Sequence, residues 1–134
     1  VGLSLRPEWC PSSFPNVEGG FQAMSSLLTQ EKQPTAVIAY NDIMALGALH
    51  AMRKHGMRVP DDISLIGCDG IAMAAHSNPP LTTINQPKYR MGQLAMETLR
   101  QIIDGNYVPN GGYTLMECPL LVRESTARAL PPAS

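Results

Sequence analysis

The sequence is poor in the features that mark several classes of protein. Its 134 residues include three cysteines, Cys10, Cys68 and Cys118, an odd number with no CxxC pair. This spacing argues against a disulfide framework and favours a reducing compartment. No apolar run approaches the roughly 18 residues of a membrane span, and no basic segment precedes an apolar stretch as in a signal peptide. We therefore expect a cytoplasmic protein that does not associate with a membrane.

Charge is also scarce and balanced. Charged residues make up 16% of the chain, and 10 Lys and Arg stand against 11 Asp and Glu, for a net charge of -1. A nucleic-acid surface needs a basic excess, so we expect this segment not to bind DNA itself. The 44% hydrophobic content argues against disorder. The length suits one domain or a piece of a larger one.

Catalytic and metal-binding motifs are missing from the sequence as well. There is no GxSxG, GxGxxG or P-loop pattern. His50 and His55 are five residues apart, which places them on different faces of a predicted helix and not at a metal-ligand spacing. Cys68 lies in an apolar run, which favours an inert core thiol over a nucleophile. We predict that the protein is not an enzyme and has no metal or cofactor.

The middle of the chain alternates between strand and helix patterns. Residues 36–40 (AVIAY) and residues 63–67 (ISLIG) are short continuous apolar runs, each typical of a strand that is buried on both faces. Between them, residues 42–55 have apolar side chains at helical spacing and end at Gly56. The pattern predicts a βαβ unit with two parallel strands.

The flanking segments extend the same pattern. Helical spacing predicts further helices over residues 16–30, 71–78 and 88–104, the last with a wide apolar stripe. Apolar and β-branched runs predict strands over residues 1–5, 81–84, 113–117 and 120–123. We expect an α/β fold whose mostly parallel sheet is flanked by helices.

Two polar residues follow the two central strands. Asn41 comes directly after one run and Asp69 is the second residue after the other. If the strands are neighbours, their carboxyl ends lie about 5 Å apart and form the edge where α/β sheets bind ligands. An amide and a carboxylate there would suit adjacent hydroxyls of a sugar, or a purine or nucleoside. Two alternatives stay open: Asn41 as a helix cap and Asp69 as a turn former.

Several blocks of the sequence carry a family resemblance. Residues 34–71 (PTAVIAYNDIMALGALHAMRKHGMRVPDDISLIGCDGI), followed by PPLTTINQP, MGQLAMETL and LLVREST, closely resemble the effector-binding domain of LacI/GalR-family transcription regulators. The resemblance implies a type I periplasmic-binding-protein-like fold with two α/β subdomains around a ligand cleft. It also implies that the chain is an incomplete fragment, the C-terminal portion of that domain, without the helix-turn-helix. Residues 1–80 and 113–127 would belong mostly to the C-terminal subdomain, and residues 81–112 mostly to the N-terminal subdomain.

The resemblance also implies roles for individual residues. Asn41 and Asp69 match the effector contacts of the family, and Gln86 resembles a third polar contact. Phe14 is the aromatic residue nearest to the position, at about Pro15, from which family members stack an aromatic ring on the effector. A homodimer surface would include five residues of the helix after Asn41 and of the segment after Asp69: Leu46, Leu49, His50, Met73 and Ser77.

The function that the resemblance implies is effector sensing by a transcription regulator. A small molecule, a sugar or sugar phosphate rather than a purine, would bind in the cleft of a homodimer and change its affinity for operator DNA. The DNA would be contacted only through the missing N-terminal domain. The alternative is a periplasmic solute-binding protein of a sugar transporter, which would have the same fold and cleft.

Overall fold

The structure is a computed structural model that describes residues 6–107 and 111–128. The strand predicted over residues 1–5 lies outside the described residues. The described part contains a 3-10 turn, four helices and four strands: the turn at Pro7–Trp9, α1 (Val17–Leu28), β1 (Ala36–Ile38), α2 (Asp42–Lys54), β2 (Ser64–Asp69), α3 (Ala72–Ala75), β3 (Thr82–Asn85), α4 (Lys88–Ile103) and β4 (Leu120–Leu121). The described residues divide into two compact units: residues 6–85 with 120–128, and residues 86–107 with 111–119.

The first unit contains a four-stranded sheet with the order β1-β2-β3-β4. β1 runs parallel to β2 and β2 runs parallel to β3, while β4 is antiparallel to β3. This arrangement confirms the predicted α/β class and the parallel βαβ unit. The predicted strand over residues 113–117 is wrong, because that segment has irregular backbone with Tyr113 and Leu115 exposed. Apolar residues form a strand only where a neighbouring strand supplies backbone partners.

Helices α1 and α2 pack closely enough for their backbones to meet. Asn16 caps α1, and its side-chain oxygen accepts a hydrogen bond from the Gly19 N–H at 2.7 Å. A Cβ on Gly20 would collide with the carbonyl oxygen of Met44, and one on Gly47 would collide with that of Val17. Glycine at Gly20 and Gly47 therefore lets the two helices approach and form the core of the unit.

The core lies on one face of the sheet. It combines residues of α1, α2 and α3 with side chains of β2 and the segments beside the strands: Met24, Leu27, Leu28, Ala45, Ala48, Leu49, Ala51, Met52, Ile63, Leu65, Ala74 and Leu81. Val37 of β1 packs against it, but Ile38 is 75% exposed. The prediction that β1 is buried on both faces is therefore wrong. The continuous apolar run predicted a layer of side chains on each face of β1. Within the described residues, β1 is an edge strand, and the helices cover Val37 on one face but leave Ile38 on the other face exposed.

The prediction that Cys68 is a core thiol is also wrong, because one face of its strand is partly exposed. Cys68 belongs to β2 but is only half-buried, so it is not a core thiol. The burial pattern of β2 alternates, with Leu65 and Gly67 buried and Ile66 and Cys68 partly exposed. All three cysteines are free thiols.

The amino ends of β2 and β3 are joined by the VREST segment near the end of the described chain. Ser125 is fully buried, and its hydroxyl donates to the carbonyl oxygen of Leu65 at 2.6 Å and accepts from the Thr82 N–H at 2.8 Å. Arg123 donates from its guanidinium to the carbonyl oxygen of Leu81. These bonds give the VREST motif a structural role at the end of the sheet opposite the predicted site.

The second unit contains α4, which covers almost the whole predicted range of 88–104. Its predicted apolar stripe is present, but none of the α4 residues is buried within the described part of the chain. Met91, Leu99 and Ile103 are all exposed. Among the described residues, no helix combines the length and apolarity that crossing a membrane requires.

Candidate functional site

The predicted site lies at the carboxyl edge of the sheet. Asp69 is the last residue of β2, not the second residue after it, and is paired with Asn85, the last residue of β3. β1 and β2 are neighbours, with Ile38 opposite Ile66. Asn41 comes three residues after Ile38, as Asp69 comes three residues after Ile66, so both stand at the carboxyl ends of neighbouring strands. The carboxyl edge therefore has three polar residues at or just after the ends of its parallel strands: Asn41, Asp69 and Asn85.

Asn41 is the N-cap of α2. Its side-chain oxygen accepts a hydrogen bond from the Met44 N–H at 2.7 Å, which confirms the capping alternative. Capping uses the oxygen of the amide and leaves the two N–H donors of its nitrogen for another partner. The capping role and a ligand role are therefore compatible, and the ligand role stays a prediction.

Asp69 has an unusual backbone conformation. Its φ is 122°, in a region that only glycine adopts readily, and Gly70 follows with a φ of 67°. Strained backbone of this kind persists only where surrounding contacts determine it, and it is concentrated at functional sites. Asp69 thus begins a sharp turn, as the second alternative expected, and its side chain is only half-buried. Its contact with an effector stays a prediction.

Asp42 is an important residue of this edge that the sequence analysis did not identify. It is fully buried, and its carboxylate accepts from the Thr83 hydroxyl at 2.5 Å and from the Ile71 N–H at 2.8 Å. The Thr83 oxygen also accepts from the Gly70 N–H at 3.3 Å. Asp42 thus joins the start of α2, the turn after β2 and the strand β3. The sequence signal was slight, because an acidic residue in the first helical turn has an ordinary role beside the helix dipole.

The two glycines of the GCDG turn make room for these contacts. A Cβ on Gly67 would collide with the Oδ1 atom of Asp42, and one on Gly70 would collide with the Oδ1 atom of Asn85. Asn85 was also missed, although its neighbour Gln86 was selected. Its side chain lies over the Gly70 backbone, beside the turn that Asp69 begins.

The other two predicted effector contacts, Phe14 and Gln86, lie far apart in the sequence. Phe14 is 80% exposed and lies in the loop before α1, where its carbonyl oxygen accepts from the Asn16 N–H at 2.8 Å. Gln86 is half-buried and is the first residue of the second unit. The roles of Phe14 and Gln86 stay predictions.

The residues predicted for a dimer surface differ in exposure. Leu49 is 7% exposed and belongs to the core, and Leu46 is half-buried against that core. His50 and Met73 are exposed. The Ser77 hydroxyl donates to the backbone carbonyl oxygens of Pro79, at 2.8 Å, and Ala74, at 3.0 Å. Their participation in a dimer stays a prediction.

The described residues contain no cluster of three or more His, Cys, Asp or Glu side chains that could hold a metal ion. The site at the carboxyl edge is instead a hydrogen-bonding surface. It combines amide groups with a carboxylate on a fixed turn, and its chemistry suits recognition of a polar small molecule.

Comparison with known proteins agrees with this geometry. The family model of the periplasmic binding protein-like domain matches residues 1–126. The HTH-type transcriptional repressor CytR of Escherichia coli (strain K12) is 42% identical over 130 residues, which are 97% of this chain and 38% of the relative. The chain therefore spans less than two-fifths of the length of this relative.

Solved structures show the same similarity. The Lac repressor dimer bound to operator and the anti-inducer ONPF aligns with a TM-score of 0.81 and 35% identity, over 87% of this chain and 40% of that chain. The complex of the transcriptional regulator CelR with cellobiose aligns with a TM-score of 0.79 and 35% identity, over 84% of this chain and 34% of that chain. These similarities to repressors do not favour the transporter alternative. The chain belongs to the family of periplasmic binding protein-like domains, in the form that LacI-family transcriptional repressors carry as their effector-binding domain.

Proposed function

We propose that this chain is the effector-binding part of a transcriptional repressor, and that a small molecule bound beside Asn41 and Asp69 changes the affinity of the whole protein for operator DNA. The observation that carries the proposal is the row of polar residues at the carboxyl edge, where Asp69 has a strained backbone. Binding at this edge would shift the repressor between two conformations that differ in operator affinity.

We further propose that the effector is a sugar or sugar phosphate rather than a purine. The N–H donors of Asn41 suit a hydroxyl oxygen, while the Asp69 carboxylate accepts from hydroxyl groups. The cellobiose complex of the similar regulator CelR supports this choice. Gln86 and Phe14 would add a further amide and an aromatic face.

The remaining parts of the proposal concern the whole protein. It would act as a homodimer in the cytoplasm and contact operator DNA through a domain outside this chain. The operator-bound Lac repressor dimer supports this arrangement. Exposed residues of α2 and α3, such as His50 and Met73, would take part in the dimer surface. Residues 81–112 would belong mostly to the N-terminal subdomain, whose other parts would cover the apolar stripe of α4.

The test uses the full-length protein and an operator fragment selected from random DNA. Operator binding is measured by fluorescence anisotropy with cellobiose, lactose, D-ribose or adenosine added. We expect one of the three sugars to change operator affinity, and Asp69→Ala to abolish that response while operator binding without effector remains. The exposed Asp61 supplies a matched control, because Asp61→Ala removes a carboxylate from the same unit away from the site. A full response in Asp69→Ala would contradict the site, and a response to adenosine alone would contradict a sugar effector.

A second variant separates the two roles of Asn41. Aspartate caps helices as well as asparagine does but has no N–H donors when ionised. We therefore expect Asn41→Asp to unfold at the same temperature as the wild-type protein and to lose at least tenfold in affinity for the effector. Unchanged affinity would reduce Asn41 to a helix cap.

A further inference from the structure

We propose that Asp42 is a positioning residue that keeps Asp69 in the conformation needed for effector binding. The proposal rests on the proposed function only in assigning the effector contact to Asp69. Asp42 itself is fully buried and would not touch the effector.

The contacts of Asp42 converge on the two residues that follow Asp69. One carboxylate oxygen accepts directly from the Ile71 N–H at 2.8 Å. The other accepts from the Thr83 hydroxyl, whose oxygen in turn accepts from the Gly70 N–H at 3.3 Å. These four residues form the Asp42 network. The network fixes both peptide N–H groups immediately after Asp69, so it determines where the Asp69 backbone turns.

The backbone of Asp69 needs such support. A φ of 122° is unfavourable for a residue with a Cβ, and it persists only when surrounding contacts offset its cost. Hydrogen bonds to a charged acceptor are shorter and stronger than those between neutral groups, and water does not compete with them at a buried site. A carboxylate can accept from Ile71 and Thr83 at once, whereas an amide would present a donor to one of them.

The neighbouring glycines show that the network is tightly enclosed. A Cβ on Gly67 would collide with the Oδ1 atom of Asp42, and one on Gly70 would collide with the Asn85 side chain. The turn therefore has little space for an alternative arrangement while the network is intact. Loss of one hydrogen bond would instead allow Asp69 to relax toward ordinary backbone angles.

Ser125 supplies a matched control for a purely structural effect. It is as deeply buried as Asp42, and it likewise joins β2 to β3 by hydrogen bonds, to Leu65 and Thr82. It acts at the amino end of the strands, away from Asp69. Substitution of Ser125 should reduce the stability of the sheet without changing the turn.

The experiment compares Asp42→Asn, Thr83→Val, Thr83→Ser and Ser125→Ala in the full-length protein. The first measurement needs no ligand: hydrogen–deuterium exchange of the peptide that contains Gly70 and Ile71, with crystal structures for the φ of Asp69. We expect exchange at least tenfold faster and a relaxed Asp69 in Asp42→Asn and Thr83→Val. Thr83→Ser retains the hydroxyl and should restore wild-type exchange, and Ser125→Ala should leave the turn unchanged.

The second measurement is the affinity for cellobiose by titration calorimetry. Asp42→Asn should lose at least tenfold, while Ser125→Ala keeps its affinity even where its unfolding temperature falls as much. Unchanged exchange and an unchanged Asp69 φ in both Asp42→Asn and Thr83→Val would overturn the positioning role. A relaxed turn together with a full effector response in an Asp69→Asn variant would instead overturn the proposed effector contact. If the wild-type protein does not bind cellobiose, then cellobiose is not its effector. The hydrogen-exchange measurement, which needs no ligand, then tests the positioning role of Asp42 by itself.

Discussion

Helices α2 and α4 were predicted by the same reasoning but differ completely in burial. Both have apolar residues at helical spacing, and both end within one residue of the predicted limit. α2 buries seven residues, including Leu49 and Met52, whereas none of the α4 residues is buried within the described part of the chain. Helical periodicity therefore predicts an element and its apolar face, but not whether the layer that covers that face is close by.

The physical reason lies in what each unit contains. α2 has a second helix whose backbone approaches it at Gly20 and Gly47, and a sheet against which both helices pack. In the second unit, α4 is the one regular element among the described residues. A single helix cannot bury its own apolar stripe and needs another layer to do so.

Two methionines give the largest test of this comparison. Met52 of α2 is fully buried, so Met52→Ala should leave a cavity and reduce the free energy of unfolding by about 2–5 kcal/mol. Met96 of α4 is 67% exposed, so Met96→Ala should change the free energy of unfolding by less than about 0.5 kcal/mol. Urea denaturation of the full-length protein measures both. Equal losses would show that the burial of α2 and α4 does not differ as described.

Two glycines test the same difference in packing between α2 and α4, because alanine substitutions at them should change stability in opposite directions. Alanine at a helix interior normally stabilises by about 0.5–1 kcal/mol relative to glycine. A Cβ has open space at Gly92 of α4, but at Gly47 it would meet the carbonyl oxygen of Val17. We expect Gly92→Ala to stabilise by about that amount and Gly47→Ala to destabilise by about 1–3 kcal/mol, through overpacking. Thermal unfolding of the two variants should move in opposite directions, and a stabilising Gly47→Ala would contradict close helix packing.

Leu99 tests whether a part of the protein outside this chain covers the stripe of α4. The side chain is 48% exposed, and covering the remainder would contribute about 1 kcal/mol. Leu99→Ala should therefore destabilise the full-length protein by at least about this amount, whereas Gln93→Ala, at an exposed position on the side of α4 away from the stripe, should not. A Leu99→Ala variant as stable as Gln93→Ala would mean that the stripe remains in contact with water.

The smallest expected effect concerns the polar segment that follows α2. A hydrogen bond from the Arg58 side chain, together with one from its backbone N–H, lowers the pKa of Asp62 below its ordinary value of 3.8. The pair therefore stabilises the folded state above that pH, and this contribution disappears as the pH falls through the lowered pKa. Arg58 is exposed and Asp62 is only half-buried, so the effect is slight.

An NMR titration of the Asp62 carboxyl group measures this shift directly. Arg58→Gln should raise the Asp62 pKa toward its ordinary value. Arg100→Gln, which removes the exposed Arg100–Asp104 pair at the end of α4, should leave the Asp62 pKa unchanged. If the Asp62 pKa does not respond to Arg58→Gln, the hydrogen bonds from Arg58 are not the cause of its lowering.

The sequence by itself determined the helices and strands of the central part of the chain and the direction of the first two strands. Apolar spacing and the cap at Asn41 depend on residues a few positions apart, and the connection between β1 and β2 is long enough for a parallel crossover. Polar residues after parallel strands also predict a row at the carboxyl edge. Asn41 and Asp69 could be selected for that reason.

Only the tertiary structure decided which faces are covered and which polar groups meet. The exposure of Ile38 depends on the layers present around β1, which its own apolar pattern does not specify. Asp42 meets partners 29 and 41 residues further along the chain, so neither contact appears as a local motif. The turn at Asp69 has a strained backbone that short-range preferences alone would not favour, and the distant hydrogen bonds of Asp42 are its proposed support.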